Sequence, residues 1–172
     1  MSENIKKMLF EDSELRKIAD FRSLGREFAM QFLFQSDIGG DAPTDVILKY
    51  FWKQLSAAGC FIENSKFRKA ADFAEKIIYG AYEHRVEIDA KMVEFSKNWA
   101  IDRMGAVDRN VIRIAIYEML FDESVPPVVS INEAVDLVKH YGGDDSGSFI
   151  NGILNGVKNS ITRSAREAVK KK

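Results

Sequence analysis

The sequence predicts an all-α fold of about seven helices, on three observations. In the run Asp108-Arg-Asn-Val-Ile-Arg-Ile-Ala-Ile-Tyr-Glu-Met-Leu-Phe121, apolar side chains cover nearly every direction around a helix. A helix that is apolar all round belongs inside a bundle. Elsewhere apolar residues recur every three or four positions, and no stretch alternates with period two for long enough to make a strand. Helix formers dominate a chain of 172 residues that contains only three prolines.

Taken in order, residues 1–20 form a charged leader. Lys6, Lys7, Arg16 and Lys17 are balanced there by Glu3, Glu11, Asp12, Glu14 and Asp20, which describes a partly ordered extension. Residues 21–160 make the helical domain, and 161–172 a basic tail that frays. The first strong helix spans about Ser23 to Ser36, with Leu24, Phe28 and Phe32 on one stripe. Asp37-Ile-Gly-Gly40 ends it, using glycine for the left-handed turn. Pro43 opens the next helix, with Asp41 or Thr44 as cap and Val46, Ile47, Tyr50, Phe51 and Leu55 as its apolar stripe. Gly59 stops it.

A long stretch from about Ser65 turns Phe67, Ala70, Ala71, Phe73, Ala74, Ile77 and Ile78 inward, and Gly80 weakens it. Arg85 to Ser96 continue with Val86, Ile88, Met92, Val93 and Phe95. Trp99, Ile101 and Met104 then anchor the link to the central helix, with Gly105 at the turn. Asp108 in that helix's first turn suits its dipole. Arg113 and Glu118 lie inside the apolar block without facing each other, so each needs a partner from another helix. Pro126-Pro127 bounds the helix, and Ser130-Ile-Asn-Glu133 has the form of a capping box for the next one. The last helix starts near Asp145 or Ser146 and buries Phe149, Ile150, Ile153, Leu154 and Val157. Ser148, Gly152 and Gly156 give it a narrow side that another helix can approach.

Bulk properties exclude several classes. Apolar content of 46% and charged content of 30% describe an ordinary globular chain. A net charge of −1 gives no global pull towards nucleic acid, so any such site is a local patch. One cysteine, Cys60, makes no internal disulfide and suits a reducing cytoplasm. Acidic residues precede any signal-peptide core, and the central apolar run falls short of the ~20 residues that cross a bilayer. His84 and His140 have no ligand partners at metal spacing, so no metal is expected. Gly142-Gly-Asp-Asp-Ser-Gly147 resembles a phosphate loop only superficially. It lacks the Lys-Ser/Thr pair and carries two aspartates, which suits a helix–helix turn with an acidic N-cap. No nucleophile stands near a base, and no cofactor is implied. These residues describe a binding protein. Arg22 and Arg26, four apart at the first helix's start, are the candidate phosphate contacts.

Three stretches then carry a resemblance. Trp99-Ala-Ile-Asp-Arg-Met-Gly-Ala-Val-Asp-Arg-Asn-Val-Ile-Arg-Ile-Ala-Ile-Tyr-Glu118 is similar to the central signature of the NusB family. Pro127-Val-Val-Ser-Ile-Asn-Glu-Ala-Val-Asp-Leu-Val-Lys139 and Tyr141-Gly-Gly-Asp-Asp-Ser-Gly-Ser-Phe-Ile-Asn-Gly-Ile-Leu-Asn155 follow in the family's order. Arg26-Glu-Phe-Ala-Met-Gln-Phe-Leu-Phe34 resembles its opening helix, whereas Asp37 to Asn98 match only as helical length and apolar pattern.

The resemblance implies two roughly perpendicular three-helix sub-bundles. It implies a transcription elongation and antitermination factor, not an enzyme, that binds single-stranded boxA RNA with NusE during ribosomal RNA transcription. NusE is also a small-subunit ribosomal protein. The pair joins NusA, NusG and RNA polymerase, and some members form homodimers that hide the RNA face. By position, Arg22, Arg26, Phe34, Asp108, Arg109, Arg113, Asp145 and Phe149 are the implied RNA contacts. Arginines hold phosphate, rings stack on unpaired bases and carboxylates accept from base amino groups. Residue chemistry alone leaves Phe34 and Phe149 open to a core role, and Arg113 to a structural ion pair. The arginine-rich segment is thin, which makes RNA affinity depend on NusE. A NusB-like domain serving a ribosomal-RNA cytosine methyltransferase is the enzyme alternative. No Gly-rich cofactor strand or catalytic cysteine pair follows Val157 to support it. A scaffold that binds only proteins is the third reading.

Overall fold

The computed structural model describes residues 20–40, 42–57, 65–97, 99–162 and 164. Among these are seven α-helices and no strand. The helices are α1 (Phe21–Gly39), α2 (Asp45–Ala57), α3 (Ser65–Glu83), α4 (Arg85–Phe95), α5 (Ala106–Phe121), α6 (Pro127–Tyr141) and α7 (Ser146–Ser160), with a 3-10 turn at Ile101–Arg103. The expected extension up to residue 19, the alternative cap Asp41, the stop at Gly59, Cys60 and the tail residues 163 and 165–172 lie outside the described residues. No described helix is long and apolar enough to cross a membrane. The chain divides into two compact units after Lys76, within α3.

In the first unit, the Leu24–Phe28–Phe32 stripe of α1 is buried as its period requires. Phe28 meets Phe67 at 5.2 Å and Trp52 at 5.6 Å between ring centroids, and Phe32 meets Phe51 edge-on at 5.3 Å. Such offset and edge-on pairs suit the ring quadrupoles. Gly40 closes α1 at φ 73°, where its N–H donates to the Ser36 carbonyl at 2.8 Å. Thr44 is the cap of α2, its Oγ1 accepting from the Ile47 N–H at 3.3 Å. The stripe of α2 differs from expectation. Leu48, Phe51 and Leu55 are buried, whereas Val46 and Tyr50 are exposed. Trp52, not Tyr50, fills the space beside Phe28 and Phe67.

In the second unit, α5 is the central rod, with every residue from Asn110 to Met119 buried. Helices α4, α6 and α7 all pack on it. Gly80 does not weaken α3, which continues to Glu83. A Cβ at Gly80 would stand 2.1 Å from Cε2 of Tyr117, so the glycine lets α3 lie close to α5. On α4 only Ile88 and Met92 are buried, and Val86 and Val93 face outward against expectation. The capping box at Ser130 does not form. Helix α6 starts three residues earlier, because Pro127 at its first position has its φ preset and no N–H to lose. Of the narrow side on α7, only Gly156 receives a neighbour. A Cβ there would stand 2.5 Å from Phe95 of α4, while Gly152 faces open space.

Candidate nucleic-acid interface

The expected contact residues fall into two groups, one in each compact unit. In the first, α1 lies close enough to α3 at Gly25 that an added Cβ would meet the Ala70 carbonyl oxygen at 2.8 Å. That approach brings the Phe73 ring under both arginines, with guanidinium-to-centroid distances of 5.9 Å for Arg22 and 5.4 Å for Arg26. The pair thus shares one side of the helix, as its spacing required. Their environments differ. Arg22 is exposed, whereas Arg26 is only 4% exposed and belongs to the packing around Phe73. Of the two expected phosphate contacts, Arg22 is open to solvent and Arg26 is covered. Phe34 is half-buried on the same helix.

In the second unit, Arg113 is 4% exposed and its guanidinium grips Asp89 of α4 through both carboxylate oxygens, at 2.7 and 2.9 Å. It also donates to Asn110 at 3.1 Å. This satisfies the partner that a charge inside an apolar run demands, and agrees with the structural ion pair that residue chemistry had left open for Arg113 beside an RNA contact. Arg109 is half-buried. Its Nη1 donates to the carbonyls of Ile101 and Met104 at 3.1 and 3.2 Å, which clamps the loop before α5. That geometry makes it a support for the loop.

Asp108, Asp145 and Phe149 do come together. The Ser146 hydroxyl donates to Asp108 Oδ2 at 2.9 Å and accepts from the Gly143 N–H at 2.9 Å. Asp108 thereby ties the first turn of α5 to the Gly142–Gly143 loop and the start of α7. Asp145 holds the N-cap position of α7, exposed and without a side-chain cap bond. Phe149 lies four residues on, on the same side and half exposed. Against its ring, at 5.9 Å between centroids, lies Trp99, which is 54% exposed. Sequence reasoning gave Trp99 only as an anchor of the link into α5 and not as a contact residue. The overlooked sign was its place outside any periodic stripe, in the break between α4 and α5. Among the described residues, no cluster of His, Cys, Asp and Glu is arranged to hold a metal.

The arrangement is one exposed arginine on the first unit and, on the second, two adjacent rings beside an exposed carboxylate. The NusB family model matches residues 23–159. The chain belongs to the NusB family. It is 42% identical over 139 residues to the transcription antitermination protein NusB of Pelotomaculum thermopropionicum, covering 81% of this chain and 90% of that one. It is 36% identical to NusB of Bacillus velezensis, covering 81% and 97%. Among solved structures, NusB of T. maritima superposes with a TM-score of 0.65 at 30% identity, covering 81% of this chain and 91% of that one. The antitermination factors NusB and NusE in complex with double-stranded RNA give 0.68 at 29% identity, covering 82% and 98%. These relatives are transcription antitermination proteins, and this member of their family is accordingly an antitermination factor, not an enzyme.

Proposed function

We propose that this chain binds the single-stranded boxA element of nascent ribosomal RNA together with NusE, acting in the cytoplasm on RNA polymerase with NusA and NusG. Residues 21–160 supply the binding domain, with the leader and basic tail as accessories. The single observation that carries the reading is the half-exposed Phe149 one helical turn from the exposed Asp145, at a helix start anchored by the bond from Ser146 to Asp108. Phe149 serves to stack on an unpaired base, and Asp145 to accept from base amino groups. Arg22 and Phe34 contribute a phosphate contact and a further ring. Asp108 holds the start of α7 through Ser146, and Arg109 holds the loop before α5. A homodimer that hides the same residues is the competing assembly.

The solved relative with NusE holds double-stranded RNA, which gives a second reading, recognition of a duplex. Fluorescence anisotropy of labelled boxA RNA, single-stranded and annealed, with and without NusE and across salt, separates the two. The single strand should bind more tightly, and more so with NusE. Arg22→Ala should flatten the salt slope by about 0.7, one phosphate contact on a single strand. Equal binding of the duplex, or no binding with NusE present, would reject the proposal.

A further inference from the structure

We propose that Trp99 is the second half of a two-ring platform with Phe149, and that each ring receives one unpaired base on its outer face. The inference rests on the RNA-binding reading above and assigns a further specificity-determining residue to that site. Tryptophan seldom leaves half of its surface in water, because its large ring gains more than most by burial. Trp99 is nevertheless held there by a built backbone. Ser96, itself 6% exposed, accepts through its carbonyl from the Trp99 N–H at 3.1 Å, and its hydroxyl lies 3.0 Å from the Trp99 carbonyl. Lys97 takes the left-handed conformation at φ 52° that this tight link demands. Arg109 then pins the following residues by its bonds to Ile101 and Met104.

The geometry of the rings decides what they accept. Their planes meet at 60° and their centroids are 5.9 Å apart. A base between them would need twice the ~3.4 Å stacking distance, so none inserts. Bases in a duplex lie parallel and cannot match two planes at that angle. The ligand is therefore a pair of nucleotides splayed out of any helix, one against each ring. Asp145 stands on the same side of α7 as Phe149, where it accepts from the exocyclic amine of a base on that ring.

Two tryptophans, Trp52 and Trp99, give this its test. In the Trp52→Phe protein all indole emission comes from Trp99. With NusE present, emission should fall in step with the anisotropy of a labelled boxA oligonucleotide. Trp99→Ala should weaken binding about 5- to 150-fold, the worth of one stacked base, with Trp99→Phe restoring most of it and the melting temperature of Trp99→Ala near that of the parent. If RNA binds while Trp99 emission stays constant, or if Trp99→Ala binds within twofold of the parent, the platform is wrong and the RNA reading survives. If no RNA binds, both fall. Should Trp99→Ala not fold, the emission titration and the Trp99→Phe affinity carry the decision.

Discussion

Buried charge at Arg113 and its carboxylate partner Asp89 ties α5 to α4, and the asymmetry of buried pairs sets what its loss would do. Asp89→Ala strands a guanidinium that is 4% exposed and should cost about 3–5 kcal/mol in urea unfolding. Arg113→Met, which removes the charge and keeps the volume, should cost far less, because replacing a buried ion by an apolar side chain avoids its desolvation. That Arg113 needs a partner was legible from its place in the apolar run. Which partner was not, because Asp89 lies 24 residues away and reaches it only by tertiary packing. Arg26 teaches the same limit: spacing puts it beside Arg22, but only the approach of α3 decides that one is covered and the other is not. Tyr117 gives a prediction in pH. Burial first, then the charges of Asp122, Glu118 and Glu83, push its phenol above the ordinary value of 10.0. The folded state then holds the proton more tightly, so this contribution is complete below the unfolded value and fades as pH rises past it. The urea midpoint should fall above about pH 10, and Tyr117→Phe should lack that component of the fall.

At the scale of elements, capping and packing divide the outcome. The start of α2 at Thr44, one of two expected caps, and the glycine turn that ends α1 follow from local chemistry, and the sequence located both without choosing between Asp41 and Thr44 or between Gly39 and Gly40. The start of α6 was not, since the capping-box pattern at Ser130 competed with Pro127, and a preset φ three residues earlier won. Apolar stripes were legible as periods and less so as phases. On α4, Val86 and Val93 are as apolar as Ile88 and Met92, so the sequence offers two faces and packing on α5 selects one. Gly80 is a mid-helix glycine kept for proximity. Gly80→Ala should cost about 1–3 kcal/mol in thermal or urea unfolding, because its methyl meets a Tyr117 ring that is 6% exposed and has little room to swing. Trimming that ring, in the Gly80→Ala, Tyr117→Leu double variant, should recover part of the loss. Additive costs would show that the two positions do not press on each other.

At the scale of the molecule, the seven helices of the described residues and the central rod were readable from periodicity, and the family from three ordered stretches in the C-terminal half and the opening helix. Of the contact residues taken from that resemblance, folding separates outward groups from inward ones: Arg22, Asp145 and Phe149 reach solvent, while Arg26 and Arg113 turn into the packing. No sequence pattern announces that separation, because arginine and phenylalanine serve both ends. The central claim is that an unpaired transcript lies across the rings and carboxylate at the head of α7. Photo-crosslinking of boxA RNA carrying 4-thiouridine, in the presence of NusE, with the attached peptides located by mass spectrometry, tests it most directly. Cross-links should fall on Trp99, Phe149 or their immediate neighbours. Cross-links confined to the outer faces of α2 or α4, with none near α7, would contradict it.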